Sequence, residues 1–176
     1  MPSCGAAVAR TAPLVSRAGS VLDMSEHTES VVFIDAPADA VLDAIADLEA
    51  YPSWVKGLTS VRVLTQDEGW ADEAEFVLDA GPIKDTYVLQ YTWDVDEDST
   101  GVVSWSLVRG QVLSAMDGSY TLAAEPGAGG EGTTVTYRLA VALKIPMPGM
   151  VRRKAETSIV TAALDDLKRL VEGRAS

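Results

Sequence analysis

The chain has 176 residues, of which 47% are hydrophobic and 23% charged, a composition typical of one globular domain with a sizeable core. Its 26 acidic and 14 basic residues give a net charge of −12, which argues against a nucleic-acid-binding groove and against attraction of the whole molecule to an anionic membrane. Cys4 is the only cysteine, which excludes an internal disulfide and favours a cytoplasmic location. No apolar run approaches the ~20 residues that span a bilayer, so stable membrane insertion is not expected.

The first 23 residues differ in composition from the rest of the chain. They are rich in Ala, Ser, Gly and Arg, and Met24 then heads a segment typical of a protein start. We interpret residues 1–24 as a disordered leader or a mis-assigned start, and residues 25–173 as a single domain. A targeting peptide, which Arg10 and Arg17 support only weakly, is the alternative.

The domain begins with a strand followed by helical signals. An alternating segment at residues 29–35 predicts the first strand, and apolar residues at helical spacing after Pro37 predict a helix. We expect Tyr51-Pro52 to break this helix, because the residue before a proline avoids the α region. A second short helix is predicted to start at Trp54.

Six further strands are predicted in the middle of the chain, since each segment alternates apolar and polar residues and ends in a turn signal. The segments lie at residues 58–65, 71–80, 83–95, 103–107, 114–124 and 133–144. This succession is the pattern of an antiparallel meander. The glycines between residues 127 and 132 predict a long flexible loop before the last strand.

A long helix is predicted at residues 148–172, opened by Pro148. At ~100° per residue, its apolar residues share one broad arc: Val151, Ala155, Ile159, Val160, Ala162, Ala163, Leu164, Leu167, Leu170 and Val171. Such a face must be buried, and because the upstream chain is mainly strand, we expect it to pack on the sheet. The small residues Ala155, Ala162 and Ala163 would leave a space beneath the helix.

The order of elements and several local motifs resemble a known superfamily. The motifs are Ile34-Asp35-Ala36-Pro37-Ala38-Asp39-Ala40-Val41, Tyr51-Pro52-Ser53-Trp54-Val55, the strand pair Trp105 to Gly110 and Asp117-Gly118-Ser119-Tyr120, and Gly132-Thr133-Thr134-Val135-Thr136-Tyr137. They resemble the helix-grip proteins, the START-like polyketide cyclase/dehydrase and lipid transport superfamily, and in particular its coenzyme Q-binding and cyclase-like branch. The resemblance implies an α+β fold in which a curved, seven-stranded antiparallel sheet surrounds a long C-terminal helix, with two short helices after the first strand.

Four charged residues stand out because they fall among apolar positions. Asp85 and Arg109 are in register with the apolar faces of their strands, and Glu156 lies within the apolar arc of the last helix, one turn after Arg152. An unpaired charge in a dry core costs several kcal/mol. We therefore expect these residues to be paired, to face solvent at frayed ends, or to act as an anchor or acid at the mouth of an apolar pocket.

Two functions are compatible with this fold. The first is binding or transport of a hydrophobic small molecule, such as a lipid, quinone or polyketide, between the sheet and the last helix. The second is a cyclase, aromatase or dehydratase in which Asp85 or Glu156, or a tyrosine such as Tyr87 or Tyr120, supplies acid–base help. We favour a non-catalytic binder. The expected ligand-binding residues are Trp54, Phe76, Tyr87, Tyr91, Trp105, Arg109, Met116, Tyr120, Tyr137, Arg152, Ala155, Glu156 and Ile159.

Other ligands are not expected. His27 is the only histidine and lies before the first strand, so a histidine metal cluster or triad is unavailable, and no cofactor is predicted. Arg152, Arg153 and Lys154 form a basic spot on an acidic protein, interpreted either as a solvated helix turn or as a contact for an anionic headgroup or ligand. The quinone-binding branch also suggests assistance to a respiratory or ribosomal partner, and the net charge weighs against the ribosome.

Overall fold

A seven-stranded antiparallel sheet dominates the computed structural model, which describes residues 27–81, 83–146 and 148–175. The strands are β1 (Thr28–Ile34), β2 (Leu58–Asp67), β3 (Trp70–Ala80), β4 (Ile83–Val95), β5 (Gly101–Gly110), β6 (Leu113–Gly127) and β7 (Gly130–Leu143). The helices are α1 (Ala38–Ala46), a 3-10 helix (Leu48–Ser53) and α2 (Gly149–Ala175). The sheet order is β1-β7-β6-β5-β4-β3-β2, so the predicted α+β helix-grip fold is confirmed. The predicted leader lies outside the described residues.

Successive side chains of a strand point to opposite sides of the sheet, and most strands bury one side more than the other, although Val88 of β4 is buried on the outer side. On β4, Tyr87, Leu89 and Tyr91 are buried, whereas Gln90 and Thr92 are exposed. This is the alternation from which the strand was predicted. The buried face forms the inner side of the sheet and carries most of the core.

Helix α2 packs mainly against β1 and β7 and also contacts α1. Its buried apolar residues follow helical spacing: Val160, Ala163, Leu164, Leu167 and Val171. The end of the helix is fixed to the end of β1, since Lys168 Nζ donates to the Phe33 carbonyl at 2.7 Å and Asp35 N–H donates to Glu172 at 2.8 Å. The helix therefore lies along the β1 side of the sheet.

The buried face of α2 is narrower than the apolar arc predicted from the sequence. Val151, Ala155, Ile159 and Ala162 are exposed. A helix that packs mainly against two neighbouring strands buries only a narrow stripe, so these four apolar residues of the arc stay accessible to solvent. Of the three alanines expected to leave room under the helix, only Ala163 is buried.

Two predicted boundaries also differ from the structure. Strands β6 and β7 pair as far as Gly127 and Gly130, so the expected long glycine-rich loop is a tight hairpin turn. Gly130 has a φ of +129°, which glycine adopts readily and other residues rarely do. The first helix ends earlier than the predicted break at Tyr51-Pro52: α1 ends at Ala46 because Asp47 leaves the helical region with a ψ of 74°. The second short helix is the 3-10 helix that contains Pro52 and ends at Ser53, so it does not start at Trp54 as predicted.

Candidate functional site

Six aromatic side chains line the inner face of the sheet and touch one another in sequence across five strands. We call them the aromatic arch: Phe76, Tyr87, Tyr91, Trp105, Tyr120 and Tyr137. All six were predicted as ligand-binding residues, and the structure brings them together in one buried cluster. The sequence signal was the alternation of aromatic with polar residues on each strand.

Strand register explains how the aromatic arch forms. Directly opposed residues of neighbouring strands point to the same face of a sheet. Tyr91 is opposed to Trp105, with ring centres 5.7 Å apart, and Tyr120 is opposed to Tyr137, with ring centres 4.6 Å apart. Trp105 joins these two pairs, because its indole lies 5.4 Å from the Tyr120 ring. Ring-to-ring contacts of this kind hold the arch in a fixed shape.

Gly118 makes room for the central indole of the arch. It lies opposite Trp105 in the register of β5 and β6. A Cβ atom at position 118 would overlap the indole ring of Trp105. The absence of a side chain therefore lets Trp105 lie flat across β6 and reach Tyr120 and Tyr137.

The four tyrosines of the arch belong to one buried cluster. Burial raises the pKa of Tyr87, Tyr91, Tyr120 and Tyr137 above the ordinary value of a phenol. After burial, repulsion from an ionised Tyr137 would raise the pKa of the other three further. These phenols consequently stay protonated near neutral pH and can donate hydrogen bonds.

These four hydroxyls have no hydrogen-bond partner among the described residues. In that part of the chain, the only fully enclosed polar side-chain atom without a hydrogen-bond partner is Arg138 Nε, which faces Glu29 at 3.3 Å. The four hydroxyl oxygens therefore keep some accessible surface. Buried polar groups are nearly always hydrogen-bonded to protein or water, so each hydroxyl can accept a partner that is not part of the protein.

Tyr51 is a fifth tyrosine at this region and was not predicted as a site residue. It lies on the 3-10 helix within the same buried cluster as the arch, and burial, followed by repulsion from an ionised Tyr91, Tyr120 or Tyr137, raises its pKa. Its hydroxyl donates to the Ile45 carbonyl at the end of α1. The sequence offered only the Tyr51-Pro52 break, which carries no information on where the ring points. Trp54 packs edge-on against Tyr51, with ring centres 5.1 Å apart.

Asp85 is buried and holds a turn of the sheet. It is 2% exposed, and its two carboxylate oxygens accept the backbone N–H groups of Gln111 and Leu113, each at 2.8 Å. These two donors flank the turn between β5 and β6. The inward register predicted for Asp85 is present, and both of its oxygens are engaged by the backbone.

Glu156 is also buried and fills a gap at the edge of β7. Its exposure is 2%; Oε1 accepts from the Thr28 hydroxyl at 2.8 Å, and Oε2 accepts from the Val141 N–H at 2.7 Å. Strand β1 begins at Thr28, which pairs with Leu139, so the Val141 N–H lies beyond the end of its neighbouring strand. The carboxylate replaces the missing strand partner.

The remaining predicted site residues are more dispersed. Arg152 and Glu156 line one open hollow of about 360 Å³ together with residues of β6 and β7. Met116 is half-buried on β6, whereas Ala155 and Ile159 are exposed on α2. Arg109 is exposed because a bulge in the pairing of β4 with β5 shifts its register. The inward position of Arg109 was predicted from the alternation of apolar and polar residues along β5. A bulge does not change that alternation in the sequence, so it could not be predicted.

The family of this chain follows from its similarity to known proteins. A family model described as polyketide cyclase/dehydrase and lipid transport matches residues 34–168. The chain belongs to this family. The match spans β1 to α2 and contains the whole aromatic arch, so the predicted START-like superfamily is confirmed. The narrower coenzyme Q-binding branch stays a prediction. No curated protein matches the sequence significantly.

Solved structures of the superfamily have the same fold. A START superfamily protein from Mycobacterium smegmatis is 19% identical with a TM-score of 0.67, over 84% of this chain and 95% of the other. The Zhui aromatase/cyclase from a Streptomyces species is 18% identical with a TM-score of 0.68, over 85% and 95%. A protein from Thermus thermophilus is 23% identical with a TM-score of 0.69, over 85% and 99%. At these identities the likeness establishes the fold alone.

None of the helices in the described ranges combines the length and hydropathy that crossing a bilayer requires.

Proposed function

We propose that the protein binds an aromatic or polycyclic small molecule with several oxygen atoms, and that the aromatic arch is the binding surface. The observation that carries this proposal is that four buried tyrosines keep partly accessible hydroxyls without a partner among the described residues. A ligand site is mostly apolar and has a few polar groups that fix orientation. The arch has this character, since ring faces supply apolar contact and phenol hydroxyls supply donors.

The ligand class follows from these groups. A flat aromatic ligand stacks on ring faces, and its carbonyl or hydroxyl oxygens can accept hydrogen bonds from Tyr91, Tyr120 and Tyr137. A saturated fatty acid would contact the same surface without satisfying the hydroxyls, and each unsatisfied buried polar group costs about 1–3 kcal/mol. A quinone or a polyketide-like phenol is therefore favoured over an aliphatic lipid.

We infer binding rather than catalysis as the primary role. The two inward carboxylates, Asp85 and Glu156, each accept two hydrogen bonds from the protein. Acting as an acid or base would require either one to abandon a strand or turn that it stabilises. The tyrosines have raised pKa values and are poor bases near neutral pH.

A cyclase or dehydratase is the second candidate function. The same partnerless hydroxyls favour it, because a phenol that donates to a substrate carbonyl also stabilises the negative charge that develops on that oxygen during ring closure. The two candidates differ in one result. A substrate whose conversion is lost in Tyr120→Phe, with its affinity retained, would establish catalysis.

The binding proposal is tested by removing single hydroxyl oxygens. Tyr91→Phe and Tyr120→Phe should weaken binding of a hydroxylated anthraquinone or naphthoquinone by about three- to tenfold each, since a hydrogen bond contributes about 0.5–1.5 kcal/mol. Thermal stability should be unchanged or higher, because neither hydroxyl has a protein partner among the described residues. Quenching of tryptophan fluorescence on titration measures the affinity, and palmitate serves as the aliphatic comparison.

Tyr51→Phe is the matched control. Its hydroxyl is bonded to the Ile45 carbonyl, so this variant should lose stability while retaining most of its ligand affinity. Absence of saturable binding for every oxygenated aromatic tested would refute the proposal, as would equal affinities of wild type, Tyr91→Phe and Tyr120→Phe.

A further inference from the structure

The molecule is electrically polarised along its strands, although its net charge of −12 gives no hint of it. In an antiparallel meander, successive turns lie alternately at opposite ends of the sheet. The β2–β3, β4–β5 and β6–β7 turns share one end, which is acidic: Asp67, Glu68, Asp96, Glu97, Asp98 and Glu131. The β3–β4 turn, the β5–β6 turn and the start of α2 share the other end.

This other end is basic. The eleven-residue segment 144–154 holds Lys144, Arg152, Arg153 and Lys154 and no acidic residue. Its first residue lies against the β5–β6 turn, because Lys144 N–H donates to the Val112 carbonyl and Lys144 Nζ to the Gly110 carbonyl, both at 2.8 Å. Of the carboxylates nearby, Asp79 pairs with Lys84 and both Asp85 and Glu156 are buried and hydrogen-bonded, whereas the exposed Asp117 of β6 lies in the same hollow as Arg152.

The same segment exposes large apolar side chains. Ile145 is 62%, Met150 is 76% and Val151 is 53% exposed. We call the exposed set the basic-end patch: Lys144, Ile145, Met150, Val151, Arg153 and Lys154. Exposed apolar residues next to a cluster of one sign of charge mark an interaction surface rather than ordinary solvated surface.

We propose that the basic-end patch docks on an anionic lipid surface. Apolar side chains interleaved with Lys and Arg match the boundary of a bilayer, where the former enter the acyl region and the latter meet lipid phosphates. The positive end of the α2 helix dipole lies at the same place and adds to the attraction. An anionic surface is the occupant that uses both the charge and the apolar side chains.

Repulsion of the acidic end does not prevent this contact. Strand β7 has 14 residues, and at ~3.3 Å per residue it separates the two ends by roughly 40 Å. The Debye length is about 8 Å at physiological ionic strength, so the acidic turns lie outside the range of the membrane field. Docking is therefore confined to one orientation, with the β7–α2 connection facing the lipid.

The experiment is co-sedimentation of the full chain with vesicles. Wild type should bind vesicles of phosphatidylcholine with phosphatidylglycerol and leave pure phosphatidylcholine vesicles unbound, and binding should fall as salt rises. Arg153→Glu with Lys154→Glu should weaken binding at least about tenfold, because each basic residue near an anionic surface contributes several-fold to binding. Ile145→Ser with Met150→Ser should weaken it as well.

The control is a second double charge reversal on the same helix, Arg169→Glu with Arg174→Glu. It changes the net charge equally and lies at the other end of α2, where both residues are exposed, so its vesicle binding should equal that of wild type. Equal losses in the two double variants would overturn the proposal. Failure of wild type to bind either kind of vesicle would also overturn it, and would favour an acidic protein as the partner of this patch.

Discussion

Asp85 illustrates, at the scale of one residue, how an inward carboxylate can serve the fold rather than chemistry. Its oxygens accept the N–H groups of Gln111 and Leu113. Two backbone donors of a tight turn would otherwise be buried without a partner, and each such group costs about 1–3 kcal/mol. The same residue in a free pocket would have been a candidate acid.

We expect Asp85→Asn to destabilise the protein by about 1–3 kcal/mol, since one carboxylate oxygen becomes an amide NH₂ that faces a backbone N–H. At ~2–4 °C per kcal/mol for a domain of this size, the melting temperature should fall by several degrees. Asp79→Asn is the control, because Asp79 forms only an exposed pair with Lys84 at 3.6 Å and should change stability by less than ~1 kcal/mol. Equal melting temperatures for the two variants would show that the turn does not depend on the carboxylate.

The sequence predicted which way some side chains point but not others, and the difference depends on whether the residue lies in a regular strand. The inward register of Tyr91 or Tyr137 follows from strict alternation along a strand, so it could be read from the sequence. Arg109 could not be placed, because a bulge between β4 and β5 reverses the expected face without changing the local pattern. Tyr51 was missed because a ring on a short 3-10 helix has no periodic signal to fix its direction.

At the scale of the element, helix α2 shows that the period of its apolar residues does not by itself determine which of them are buried. Periodicity identifies the apolar residues of a helix, and the neighbouring elements decide which of them are buried. Leu167 is fully buried, whereas Ile159 is 46% exposed, although both belong to the predicted arc. The location of a helix over a sheet depends on long-range packing that no local pattern encodes.

This difference predicts unequal costs of truncation. Leu167→Ala should destabilise the protein by about 2–5 kcal/mol, as large-to-small changes in a packed core do. Ile159→Ala should cost less than ~1 kcal/mol, because little apolar surface is withdrawn from water at that position. Urea denaturation measures both. A cost for Ile159→Ala as large as that for Leu167→Ala would mean that the buried face of α2 is as wide as the sequence suggested.

At the scale of the whole molecule, the strand order determines the charge distribution and the position of the aromatic arch, which composition alone does not predict. Antiparallel connection brings three acidic turns to one end of the sheet and the basic segment at residues 144–154 to the other. The aromatic arch arises in the same way, because Phe76 and Tyr137 are distant in the chain and become parts of one surface once five strands are paired. Both the proposed binding surface and the proposed docking patch are products of the strand order.

The central claim is that the arch binds an oxygenated aromatic molecule, and native mass spectrometry tests it most directly. The full chain would be mixed with equal amounts of a hydroxylated anthraquinone, a naphthoquinone and palmitate. We predict a 1:1 adduct with an oxygenated aromatic compound in wild type, and a strongly reduced adduct in the Tyr120→Phe/Tyr137→Phe variant, which lacks two of the four tyrosine hydroxyls of the arch. An adduct with palmitate alone, or aromatic adducts of equal abundance in the two proteins, would contradict this account of the site.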